Sequence, residues 1–243
     1  MTSSCSGNAS TTQIPSTAPT IFTLPVERQT WQSLFLPVVG SVHTQNLRRF
    51  INRTNIHQFL IFTTGLCHRD ARGIPSAGCS FVFGLHATLW LAGYGRFHLE
   101  RRGPNWDRQV QTSNRAELRA VIGALQYKDW TEGGFNSMVI ATDSEYVILG
   151  ITSRVWGWVN NGWQTTEGLP VENRDLWELL LDEIEGYRTA HMEIQFWPIP
   201  REWNSAAVRH ARSAARSTTS EHFRVFEPLA YPPSHPYHYG AEP

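Results

Sequence analysis

Lysine is nearly missing from this chain: Lys128 is the only one among 243 residues, so arginine carries almost all the positive charge. That bias is accounted for by genome composition. The 21 basic residues are matched by 21 acidic ones, and the formal net charge is zero. A neutral chain lacks the global field of a tight nucleic-acid binder and leaves only a local patch for that role. Cysteine is also scarce. Cys5, Cys67 and Cys79 are odd in number and show no Cys-x-x-Cys or Cys/His ligand spacing, which excludes a zinc site and a disulfide framework. Reduced thiols suit an intracellular protein, nuclear or cytoplasmic. No run approaches the roughly 18 uncharged apolar residues of a membrane span, so no membrane association is expected. The first 20 residues have no apolar core segment and no arginine before Arg28, which disfavours secretory and mitochondrial leaders.

Aromatic residues, by contrast, are plentiful. Ten Trp, 12 Phe and seven Tyr in a chain that is 41% hydrophobic supply a core for one sizeable domain. Residues 1–20 read as a disordered Ser/Thr-rich arm. Residues 21–57, with Trp31, Leu34, Phe35, Leu36, Val38 and Val39, read as an extension packed on the domain. The domain spans 58–217. Residues 218–243 end in a Pro/aromatic stretch (Pro228, Tyr231, Pro232, Pro233, His235, Pro236) and read as a disordered tail with room for a motif that a protein partner binds.

Within 58–217, apolar runs at Gln58–Thr64, Cys79–Leu85 and Ala87–Phe97 predict three strands, the first ending at Gly65 and the other two forming a hairpin. Thr112 or Ser113 caps a helix with Leu118, Val121, Ile122 and Leu125 on one face. Ser137–Thr142 predicts a buried strand running into Asp143. Leu176, Leu179, Leu180 and Ile184 mark a second helix, Met192, Ile194 and Phe196 a further strand, and Asn204–Ala215 a last helix. Clustered strands followed by alternating strands and helices imply an α/β fold with a mixed sheet flanked by helices.

Four blocks in this order resemble the type 1 ribonuclease H family. Thr112–Leu118 (Thr-Ser-Asn-Arg-Ala-Glu-Leu) is similar to its Thr-Asn-Asn-Arg-Ala-Glu-Leu motif, and Ala141–Val147 to its Thr-Asp-Ser-x-Tyr-Val strand end. Trp156, Trp158, Gly162, Trp163, Val171, Asn173, Asp175 and Leu176 follow its Trp-x-x-x-Gly-Trp and Val-x-Asn-x-Asp-Leu pattern, and Ile199–Asn204 its Pro-Arg-Glu-x-Asn variant. The resemblance covers about two-thirds of the chain. It implies a five-stranded mixed sheet and hydrolysis of the RNA strand of RNA/DNA hybrids by two Mg²⁺ ions held on four carboxylates. Hard oxygen ligands suit Mg²⁺, and paired ions activate water and steady the leaving oxygen.

Of those four carboxylates the resemblance places two, Glu117 and Asp143, as catalytic and metal-binding residues. Phe62–Cys67 is similar to Phe-Thr-Asp-Gly-Ala-Cys, which puts Thr64 at the first carboxylate beside Gly65, and Asn204–Val208 puts Val208 at the last. A hydroxyl is a poor ligand for a hard dication and an isopropyl is none, so one weakly held Mg²⁺ at most, or no ion, is expected. Asp70 is an alternative ligand. Taken alone, Glu117 and Asp143 are ordinary acids at element ends, Glu117 complementing a helix dipole, and Ser144 is an ordinary helix cap. The resemblance further implies substrate contacts through Asn114, Gly65, Asn173 and Trp163. One or two of Trp156, Trp158 and Trp163 belong to the core. The segment that would grip the DNA strand has Arg154 at its edge but also Glu167 and Glu172, so binding of hybrid or RNA is expected to be weak. Three functions follow in order: a catalytically impaired family member retaining weak nucleic-acid binding, an active Mg²⁺-dependent hybrid endoribonuclease with relocated ligands, and a protein-interaction scaffold with no nucleic-acid role.

Overall fold

A computed structural model describes residues 18–25, 29–38, 49–69, 72–84, 93–218 and 220–226. Cys5, Asp70, most of the arm and the proline-rich end of the tail lie outside the described residues. Three short strands precede the domain expected from sequence: β1 (Thr20–Ile21), then β2 (Phe35–Val38) after the single-turn helix α1 (Trp31–Leu34), then β3 (Arg49–Asn52). β4 (Gln58–Arg69), β5 (Pro75–Val82) and β6 (Tyr94–His98) follow as an antiparallel meander. Helix α2 (Ser113–Gln126) leads to β7 (Ser137–Thr142), which pairs parallel to β4. Next come α3 (Glu145–Leu149), a π-turn over Gly150–Arg154, α4 (Val155–Asn160), α5 (Arg174–Thr189), β8 (Glu193–Pro198) and α6 (Ser205–Ala214).

The α/β class and the mixed, helix-flanked sheet are as expected, but the sheet has eight strands rather than five. Its order is β1-β8-β7-β4-β3-β2, with β5 and β6 continuing from β4. The three additional strands all come from residues 20–52, so the extension closes both ends of the sheet instead of merely lying on it.

Side chains alternate across the pleat. Phe59 and Ile61 of β4 and Met138 and Ile140 of β7 face α2 and α5, where Leu118, Val121, Ile122, Leu180 and Ile184 complete the larger core. Leu60 and Phe62, with Val139 and Ala141, face the opposite way, onto Phe22, Phe35, Phe50 and Ala207. Phe35 is fully buried, and an extension residue of that kind contributes roughly 1.5–3 kcal/mol by leaving water.

Several expectations need correcting. Gly65 does not end its strand. β4 runs on to Arg69, and Gly65 is where α2 crosses it: a Cβ there would stand 2.1 Å from the backbone carbonyl carbon of Ala116 and the amide nitrogen of Glu117. Of the expected hairpin, residues 85–92 lie outside the described residues. Glu117 is the fifth residue of α2, beyond the first turn, so the helix dipole does not account for it. Trp156, Trp158 and Trp163 all pack, half-buried, against the larger core. The tail is not uniformly unstructured either. Residues 220–226 form a strap whose carbonyls at Ser220 and Glu221 accept from the amides of Arg101 and Arg102 at 3.1 Å each. The strap closes over Arg119, which is fully buried between the rings of Phe97, Phe223 and Phe226 and paired with Glu100 at 2.8 Å.

Candidate functional site

Asp143 follows the last residue of β7 and lies across from Thr64 on β4, because the parallel register pairs Thr63 with Thr142. Its carboxylate is almost fully enclosed by protein donors. Asn204 Nδ2 donates to Oδ1 at 2.6 Å, Arg201 Nη1 donates to Oδ2 at 3.0 Å, and the Thr64 hydroxyl stands 3.4 Å from Oδ1. The same Asn204 nitrogen donates to the Thr63 carbonyl at 2.9 Å, which locks the approach to α6 against β4. A 3-10 turn over Arg201–Asn204 delivers both donors.

Glu117 reaches the cluster from α2, and the bare Cα of Gly65 permits that approach. Ser144 Oγ donates to Glu117 Oε2 at 2.5 Å and accepts from the Val147 amide at 3.2 Å. The helix-cap reading of Ser144 is therefore correct, and it also couples the cap to Glu117. Burial pushes the Glu117 carboxyl above its ordinary range, and the Asp143 charge pushes it further; the Ser144 hydrogen bond and Arg201 oppose the shift. Val208 is half-buried one turn after Asn204, on the same side of α6. That helix is seated by Ser80 Oγ donating to the Ala207 carbonyl at 2.7 Å and by Gly78, where a Cβ would meet the Ala211 carbonyl at 2.2 Å. Thr64, Gly65, Glu117 and Asp143 thus come from β4, α2 and the end of β7 to one end of the sheet, with Val208 one turn along the chain from Asn204. Among the described residues, no group of three or more His, Cys, Asp and Glu is placed to hold a metal ion.

The residues expected to touch substrate fall along the neighbouring surface. Asn114 is exposed in the first turn of α2, next to Ser113, whose Oγ accepts from the Cys67 amide at 3.1 Å. Asn173 is engaged on both sides: Oδ1 accepts from Arg115 at 3.2 Å and Nδ2 donates to the Tyr146 hydroxyl at 3.0 Å. Its φ of 58° places it in the left-handed region at the start of α5, a conformation that Asn tolerates better than most residues. Arg115 also grips Asp175 bidentately at 2.9 and 2.6 Å, so α2 and α5 are clamped together behind Asn114. Trp163 lies half-buried, with the Arg174 guanidinium 5.6 Å from its ring. Sequence reasoning missed the hold of Arg201 and Asn204 on Asp143. The available signal was their place in the Pro-Arg-Glu-x-Asn block, which served only to set the register.

Comparisons with known proteins agree with this geometry. The RNase H family model matches residues 57–195, more than half of the chain. A ribonuclease H from Erwinia tasmaniensis is 34% identical over 125 residues, covering 51% of this chain and 68% of that protein. One from Dechloromonas aromatica is 37% identical, covering 49% and 68%. One from a Cyanothece species is 45% identical over 69 residues, and there the match spans only 43% of the relative's length. Among solved structures, a foamy viral protease-reverse transcriptase in complex with RNA/DNA hybrid superposes with a TM-score of 0.50 at 20% identity, over 65% of this chain and 20% of that one, a likeness of fold. The chain belongs to the ribonuclease H family.

Proposed function

We propose that this protein is a ribonuclease H family member that holds RNA-containing duplexes weakly and cuts them poorly or not at all. The observation that carries this reading is the state of Asp143: its carboxylate oxygens are already met by Arg201 and Asn204, with a neutral Thr64 beside it. A two-metal site needs a shared set of anionic oxygens around ions about 3.5–4 Å apart. Glu117 and Asp143 alone do not supply that set, and a guanidinium fills part of the electrostatic role of a cation. The donors present do not fit a pair of Mg²⁺ ions; one ion completed by water and substrate phosphate is the most they suit.

Weak binding follows from the surface beside the site. Arg154 and Arg174 share this stretch of chain with Glu167, Glu172 and Glu178, and Arg174 is paired with Glu178 at 2.9 Å. Asn114 remains exposed for contact with an RNA strand across a shallow groove, where shape and 2′-hydroxyls are read. The test is a labelled RNA/DNA hybrid assayed for cleavage with and without Mg²⁺ and for binding by fluorescence anisotropy. Binding at low salt is expected, with a log–log salt slope no steeper than roughly −2 for two phosphate contacts, and no turnover above background. Mg²⁺-dependent cleavage abolished by Glu117→Gln and by Asp143→Asn would instead establish an active nuclease. Flat anisotropy with hybrid, duplex RNA and DNA alike would leave a role in protein interaction.

A further inference from the structure

Beside Asn204, the described residues bound a cavity of about 370 Å³ between α1, the β3–β6 face of the sheet and α6. Its walls are largely aromatic. Trp31 meets Phe62 edge-on at 5.2 Å, Phe50 and the half-buried Trp203 stand with them, and Tyr94 is stacked on the His210 ring at 3.8 Å. Asn204 lies in the lining, but its side chain is committed inward: Nδ2 donates to the Thr63 carbonyl and to Asp143, and Oδ1 is buried in protein, in a residue only 1% exposed. Arg209 lines the same cavity from an exposed position and has no ion-pair or hydrogen-bond partner among the described residues. Among the described residues no carboxylate lines it.

We propose that this cavity binds a nucleotide, with the base held among the aromatic rings and a phosphate on Arg209. Aromatic walls accept any base by its face, and a lone guanidinium suits a phosphate. The Arg209 charge, with no acid among the described lining residues, favours an anionic occupant over the cation that an aromatic box would otherwise suit. The volume lies near the lower end for ligand cavities, about 300–1,000 Å³, and fits one nucleotide rather than a longer stretch. Trp31 and Arg209 lie outside the 57–195 family match, while Phe62, Val82 and Tyr94 lie within it, so the cavity joins the family domain to segments on both sides of the match. The nucleotide is either free in solution or the unpaired end of a bound strand. Only the second source rests on the function proposed above.

Calorimetric titration of the full chain with adenosine 5′-monophosphate tests the site without any duplex. Saturable binding is expected. Arg209→Glu should weaken it about tenfold or more, the usual scale for a lost charge-assisted contact. Ala206→Phe, which fills the cavity from α6, should abolish it while leaving the melting temperature near that of the native protein. A parallel anisotropy series compares a blunt hybrid with one carrying a two-adenine overhang. A preference for the overhang that vanishes in both variants assigns the site to a strand end. Equal affinity for the two hybrids, with monophosphate binding intact, assigns it to a free nucleotide. No saturable monophosphate binding and no overhang preference, or binding that both variants leave unchanged, overturns the proposal. Blunt-hybrid affinity should not respond to either variant, so failure of the duplex to bind counts against the earlier reading and not against this one.

Discussion

Placing carboxylates at Thr64 and Val208 is the most direct test of the proposed impairment, and the structure sets the scale. Thr64 Oγ1 is 3.4 Å from Asp143 Oδ1, and Thr64 is 3% exposed. Two unit charges at that spacing repel by roughly 1 kcal/mol at the dielectric of water and by roughly 5 kcal/mol at an effective value of about 20. Enclosure of the position places the expected cost toward the upper part of that range. The variant Thr64→Asp/Val208→Asp should therefore melt below the native protein in EDTA, at about 2–4 °C per kcal/mol for a chain of this size. Magnesium should reverse the loss, because an ion at about a hundredfold its Kd contributes about 2.7 kcal/mol to the state that binds it. The native protein should barely respond to the same titration. Adding Arg201→Gln should enlarge the magnesium response by freeing Asp143 Oδ2. The assay is a thermal melt followed by circular dichroism in EDTA and across a magnesium series. The reasoning fails if the native protein gains as much from magnesium as the variant does, or if the variant melts unchanged in EDTA.

Two further outcomes follow from charges away from that substitution. Glu100→Gln strands the Arg119 guanidinium, which is completely buried beneath the Phe223–Phe226 strap, and breaking such a pair costs about 3–5 kcal/mol. Urea denaturation should show a midpoint loss of that order, and a change under about 1 kcal/mol would contradict the burial of the pair. Glu117→Gln should stabilise the protein at neutral pH relative to the native chain. The folded-state pKa of Glu117 is raised, so the native state holds its proton more tightly than the unfolded chain does. That contribution is fully present below the ordinary value of 4.5 and is lost as pH rises through the raised one. The difference between variant and native protein should grow across that window and level off above it; a gap that widens as pH falls would reverse the assignment.

Much of this site was legible in the sequence, because the elements that frame it are regular. Ser137–Thr142 is a strand with the bounds that its apolar run predicts, and Thr112 caps α2 through its hydroxyl, 3.2 Å from the Arg115 amide. What was not legible depends on distance along the chain. The donors that enclose Asp143 lie 58 and 61 positions away, on an irregular turn with no period to announce it. The strands of the extension are two to four residues long, too short for alternation to show, and they exist through pairing with β8 and β4. The strap went unseen because its anchor, Arg119, looks like a solvated helix residue until Phe97, Phe223 and Phe226 close around it.

The proposed loss of carboxylates has an electrostatic rationale. A cluster of carboxylates at the end of a sheet is a burden whenever no cation is bound, since each new charge raises the cost of ionising the others. Burial already raises the Glu117 carboxyl, and its one acidic neighbour Asp143 adds to the shift even with Arg201 near. On the proposed reading, the neutral Thr64 spares Asp143 a close repulsion and the apolar Val208 on α6 adds no charge, while Asn204 ties the start of α6 to the Thr63 carbonyl and to Asp143. The guanidinium of Arg201 then supplies the positive charge that Asp143 requires, from a side chain 63% exposed and therefore inexpensive to hold. On this argument an acid at position 64 would face Asp143 unbalanced unless a cation were bound, whereas the neutral Thr64, with Arg201 and Asn204 on Asp143, gives a site that is stable without metal.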